Sequence, residues 1–108
     1  MNLNKVFGFY STDNNSRESL GKNEKAIQAW IYEVKYSEWS NANELKLKYK
    51  NASIISSKRV VFNIKGHEYR LIVDIEYKLR IVFILWFGTH KEYDKIDAKE
   101  VEYESESN

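Results

Sequence analysis

At 108 residues, 43% of them hydrophobic, the chain is one domain by length, with room for a single core and an open site instead of a deep cleft. It has no cysteine, which excludes disulfides, a thiolate zinc site and a cysteine nucleophile, and fits a cytoplasmic setting. The net charge of +1 divides unevenly: residues 1–91 hold 15 Lys and Arg against 9 Asp and Glu, whereas residues 92–108 hold 2 against 7, so a basic body compatible with phosphate binding precedes an acidic end.

The start, Met1-Asn2-Leu3-Asn4-Lys5-Val6-Phe7-Gly8, lacks the apolar run of a secretory leader, and no later stretch approaches the roughly 18 apolar residues of a membrane span. Val6–Tyr10 reads equally as a short strand or a helical turn, because the polar run Ser11–Ser16 behind it suits a loop or a ragged helix start. From Lys22 to Trp39, Ile27, Trp30, Ile31 and Val34 recur at three- and four-residue spacing, which predicts an amphipathic helix capped by Asn23 and packed on a sheet. Trp30 and Trp39 read as core, with a base-stacking platform as the alternative. Asn41-Ala42-Asn43-Glu44 then opens a second, shorter helix to about Asn51. Its Lys46, Lys48 and Lys50 spread round the surface, as a solvated face or a weak phosphate patch.

Beyond Ser53 the pattern turns to strands. Val60–Ile64 and Tyr69–Ile75 flank Lys65-Gly66-His67-Glu68, a connection with the glycine that a tight hairpin favours, and Tyr77–Arg80 turns into a third apolar strand, Ile81–Phe87. A three-stranded antiparallel meander is the simplest arrangement. Period-2 alternation puts Tyr69, Leu71, Val73 and Ile75 on the core face and Arg70, Ile72 and Asp74 on the other. Arg70 is thus offered either to a phosphate, which its planar fork suits, or to a cross-strand carboxylate. Gly88-Thr89-His90-Lys91-Glu92-Tyr93-Asp94 follows the third strand directly, and a strand end aims polar groups well. A histidine there can take a proton from an attacking hydroxyl or give one to a leaving oxygen, though a lone histidine is more often structural or merely exposed; His67, in the turn, is the weaker candidate.

Two histidines 23 positions apart with no cysteine supply no recognised metal-ligand set, and no phosphate-cradling glycine loop or nucleophile elbow occurs. What remains is acid–base chemistry without metal or cofactor, or binding alone.

Val61-Phe62-Asn63-Ile64-Lys65-Gly66, Tyr69-Arg70-Leu71-Ile72-Val73 and Gly88-Thr89-His90-Lys91-Glu92-Tyr93-Asp94 resemble the HigB toxins, RNA-cleaving members of the RelE superfamily from bacterial toxin–antitoxin pairs. The resemblance covers roughly residues 26–97, with the first 25 residues poorly matched and the acidic tail outside it. It implies a RelE-like α+β fold, N-terminal helices packed on a small antiparallel sheet, in one domain over residues 1–97 followed by a flexible acidic tail over 98–108. It also implies metal-independent cleavage of mRNA by a ribose 2′-hydroxyl, in some relatives on the ribosome, and a HigA-like helix-turn-helix antitoxin as partner. Carried onto this sequence, His90 is the acid–base group, Arg70 the phosphate or transition-state ligand and Tyr93 an orienting or stacking group. Arg59, Lys65 and Lys91 would bind phosphates, and Asn63 would orient RNA. One departure stands out: many relatives carry an arginine in the third strand where this chain has Leu85. An attenuated toxin, or a noncatalytic RNA- or ribosome-binding module, is therefore the competing expectation.

Overall fold

The computed structural model describes residues 3–7 and 14–102, with side chains of the first helix from residue 18 onward. In chain order the elements are β1 (Lys5–Phe7), α1 (Asn14–Lys22), α2 (Glu24–Lys35), α3 (Ala42–Lys48), β2 (Ser53–Ile54), β3 (Arg59–Ile64), β4 (Tyr69–Glu76), β5 (Ile81–Thr89) and α4 (His90–Tyr93). The five strands make one sheet in the order β1-β5-β4-β3-β2. The expected meander is β3-β4-β5, with short β2 added antiparallel on one side and β1 added parallel on the other, so the α+β fold has a mixed sheet. Of the ambiguous segment Val6–Tyr10, Val6 and Phe7 are strand, while residues 8–10 lie outside the described residues.

The amphipathic stripe does what its spacing predicts: Ile27, Trp30 and Val34 are buried, and the Trp30 ring meets Phe62 edge-on at 5.3 Å. Trp39 is also buried, edge-on to Tyr77 at 5.9 Å, so both tryptophans belong to the core. The helix ends at Lys35 instead of continuing to Trp39, because Asn4 takes the carbonyls at its end. Asn4 is buried; its backbone N–H donates to Lys35 O at 3.0 Å, and its Nδ2 donates to Val34 O at 2.7 Å and Ser37 O at 3.2 Å. Terminal carbonyls of a helix lack partners within it, and a buried carboxamide answers two at once.

Asn23 does not cap α2. Its side chain makes no capping bond; Nδ2 instead donates to Ser19 O at 2.8 Å, closing the preceding helix α1. With one residue between α1 and α2, the carbonyls of the first helix lie nearer than the amides of the second. Asn41 does cap α3, accepting from the Glu44 amide at 2.9 Å.

Both faces of the sheet are covered. On the helix face Leu71, Val73 and Ile75 join Val60, Phe62, Ile64, Val82, Ile84 and Phe87 beneath α2, with Tyr69 partly buried against them. The opposite face carries a second apolar cluster, in which Val61, Ile72, Leu85 and Trp86 are buried with Ala98 and flanked by Tyr93, Ile96 and Val101. The acidic end therefore begins packed: Ala98 is buried and Val101 lies against the cluster, whereas a flexible tail was expected from residue 98 onward. Residues 103–108 lie outside the described residues.

A β-bulge explains how β5 serves two cores. Ile72 pairs with Trp86 and Val73 with Ile84, leaving Leu85 as an extra residue in β5. Alternation is thereby broken, so the adjacent Leu85 and Trp86 both belong to the second cluster while Ile84 and Phe87 serve the first.

Candidate functional site

The hairpin end of the sheet gathers most of the residues singled out from sequence. Asn63 pairs with Arg70, and Arg70 with Gly88, so the three form one row across β3, β4 and β5 on the face opposite the helices. His90 follows two positions after Gly88, and Tyr93 one helical turn later. Among the described residues Arg70 is not in a salt bridge. Its Nη1 donates to the carbonyls of His67 at 3.1 Å and Tyr69 at 3.3 Å, leaving the rest of the fork without a protein partner among the described residues.

His90 is set by two local devices. Thr89 Oγ1 accepts from the Glu92 amide at 3.1 Å while Glu92 Oε1 accepts from the Thr89 amide at 2.8 Å, a capping box that starts α4 at His90. The His90 amide then donates to Glu68 O at 3.0 Å, tying α4 to the β3–β4 turn. Its Nε2 stands 3.8 Å from Asp94 Oδ2, with the two side chains 55% and 60% exposed, so the pair adds little stability and the imidazole stays open to solvent. Tyr93 is half-buried, its ring tilted against Trp86 at 6.2 Å.

Gly88 is required by the same packing. A Cβ there would lie 2.6 and 2.7 Å from the Trp86 indole and 2.9 Å from Glu92 Oε1. Gly88→Ala is expected to cost about 2 kcal/mol by overpacking, read as a lower urea midpoint. An unchanged midpoint would show that the indole yields at no cost.

Lys65 and Lys91 are exposed at this end, Lys65 in the turn with a positive φ of 54° beside Gly66 at 67°. Sequence reading missed their company. Lys65 shares a cavity of about 400 Å³ with Lys22 and Lys25, and Asn63 shares one of about 390 Å³ with Lys48, Lys50 and Asn51. Asn63 Nδ2 donates to Asn51 O at 3.3 Å, joining that cavity to the Arg70 row. The signal was present, since the lysines of the second helix lead straight into Asn51, but only tertiary packing brings them to Asn63.

Arg59 lies elsewhere. It pairs with Asp74 at the opposite end of the hairpin, about 17 Å along the strand from Ile64 at 3.3 Å per residue. Its Nε and Nη2 donate to Asp74 Oδ1 and Oδ2 at 2.8 and 2.9 Å, and Nη1 donates to the carbonyls of Ala98 and Lys99 at 3.0 and 2.9 Å. The bond to Asp74 raises its pKa above the ordinary guanidinium value. Arg59 is thus a strut holding residues 98–99 to the sheet, with four of its five N–H donors engaged and no free pair to fork a phosphate. Leu85 is 2% exposed beneath that same segment.

Comparison with known families decides what kind of protein carries this arrangement. Residues 23–96 match the HigB_toxin family, described as the RelE-like toxic component of a toxin–antitoxin system. The chain belongs to the HigB toxin family. No curated protein matches it. The HigB match begins at the α1–α2 junction and stops after α4, so it contains the Arg70 row, His90 and Tyr93 but not β1, α1 or Ala98. The α+β architecture is that of a RelE-like toxin, and HigB membership implies an antitoxin partner. Among the described residues no helix is long and apolar enough to cross a membrane.

Proposed function

We propose that this HigB-family toxin is an mRNA endoribonuclease of the bacterial cytoplasm, working without metal, on free transcripts or on the ribosome. The observation that carries the reading is the row Asn63–Arg70–Gly88 with His90 and Tyr93 at its end. In such a reaction the 2′-oxygen attacks the adjacent phosphorus, the bond to the 5′-oxygen breaks, and a 2′,3′-cyclic phosphate and a 5′-hydroxyl result. His90 moves the proton that the nucleophile loses or the leaving oxygen gains. The free part of the Arg70 fork stabilises charge on the phosphoryl oxygens. Tyr93 orients or stacks on a base, while Asn63, Lys65 and Lys91 hold the strand. Arg59, carried over as a phosphate ligand, is left out because four of its five N–H donors are engaged, far from the Arg70 row.

The test is induced expression with transcript mapping, comparing wild type with His90→Ala and Arg70→Ala. Each variant is expected to lose about a hundredfold or more in cleavage while staying folded. Wild type that neither slows growth nor cuts RNA sinks the reading. A second reading, RNA or ribosome binding without cleavage, is favoured by buried Leu85, which leaves the middle of that sheet face without a cation. It predicts salt-dependent RNA association with intact transcripts.

A further inference from the structure

At the other end of the sheet from His90 lies an open groove of about 760 Å³, roughly twice the cavity of about 390 Å³ beside Asn63. β1 forms one wall by pairing with Ile81–Phe83 at the start of β5, which puts the groove about 25 Å along that strand from His90. Leu3, Phe7 and Leu79 border it while 38%, 45% and 69% exposed. Lys5, Lys35 and Lys78 line it as well, and among the described residues no carboxylate does.

The ion pairs among the described residues are Lys22–Glu18, Lys48–Glu33, Arg59–Asp74 and His90–Asp94, so all three groove lysines are unpaired. Apolar side chains left in water beside unpaired cations are the complement of a segment that interleaves apolar residues with Asp or Glu. RNA is the poorer fit, because Leu3 and Leu79 offer no ring for a base to stack on, the Phe7 ring is already stacked on Phe83 at 5.6 Å, and the groove is remote from the Arg70 row.

We propose that this groove is the docking site of the antitoxin, which inserts an acidic, apolar-patterned segment there. The inference rests on the toxin–antitoxin reading and goes beyond it. β1 and Leu3 lie outside the family match over residues 23–96, so this wall belongs to the chain's own surface and suits the choice of its own partner over others. Docking and inhibition are separable here, since a partner held at the groove leaves the His90 end open.

The experiment titrates the full chain with the purified protein encoded by the adjoining reading frame, by calorimetry at two salt concentrations. Lys35→Glu and Leu79→Asp, both exposed positions, are each expected to weaken binding about tenfold, while Lys58→Glu, a charge reversal at an exposed position between β2 and β3 that lines neither the groove nor the cavities beside Asn63 and Lys65, leaves it unchanged. RNA cleavage and thermal midpoint should be the same in all three. If the neighbour binds wild type and groove variants alike, docking is elsewhere and the inference falls while the toxin–antitoxin reading stands. If it does not bind wild type at either salt, the partner reading itself fails and takes the inference with it. Two further results overturn it in favour of another occupant. One is a wild-type dimer that Leu79→Asp dissociates, which assigns the groove to a second copy. The other is a tenfold gain in affinity on deleting residues 103–108, which assigns it to the chain's own acidic end.

Discussion

Leu85→Arg, which installs the cation that the family resemblance leads one to expect at this position, is expected to unfold this protein instead of strengthening it. Leu85 is 2% exposed and packs with Val61, Ile72, Trp86 and Ala98, with no carboxylate among them. A guanidinium there gives up its hydration and finds no partner, and the leucine's own burial is lost as well. Together these effects cost about 4 kcal/mol, enough to lower Tm by about 15 °C or more in a domain of this size. Thermal unfolding beside a transcript-cleavage assay reads both sides of the question. A stable Leu85→Arg variant that cuts RNA faster would mean that the segment from Ile96 to Val101 lifts off this face with ease.

Arg59→Ala is expected to be nearly as damaging, about 3 kcal/mol, although Arg59 sits far from the Arg70 row. The pair with Asp74 is bidentate, with side chains only 11% and 15% exposed. Truncation therefore strands a largely buried carboxylate and also releases the carbonyls of Ala98 and Lys99. Arg59→Lys should recover little, because an ammonium cannot span both carboxylate oxygens and two carbonyls at once. Urea denaturation of Arg59→Ala, Asp74→Ala and the double variant gives the coupling directly. If the double variant loses as much as the two singles added together, the strut contributes nothing as a pair.

The strands, the amphipathic helix and the two core tryptophans were legible because their signals are local. Ile27, Trp30 and Val34 state a helix in eight residues, and the run from Tyr69 to Ile75 states a strand in seven. β1 was legible only as one of two readings of Val6–Tyr10, since three residues pair with partners at Ile81–Phe83 and no local pattern announces that pairing. The bulge hid the second core. Alternation read through β5 puts Leu85 and Trp86 on opposite faces, yet both lie under the same covering segment. Arg59 was misread for a related reason. Counting outward from the Lys65–Glu68 turn sets Arg59 opposite Asp74, so the strut was available from register, but basic character alone pointed to phosphate. His90, Arg70 and Tyr93 were named from motif resemblance; spacing supplied only their position at a strand end, and Lys48, Lys50 and Asn51 needed the folded chain.

The parallel pairing of β1 with β5 has a consequence for how a cell makes this protein safely. Synthesis proceeds from the N-terminus, yet the first strand has no partner until Ile81–Phe83 has been added, and the row that includes Gly88 forms later still. The Arg59 strut and the cover over Leu85 must wait for Ala98 and Lys99. A nascent chain accordingly lacks the Arg70 row for most of its translation, and it gains its sheet, its His90 end and its cover within the last few dozen residues. A partner already waiting at the β1 groove would meet the finished toxin at the moment it becomes one.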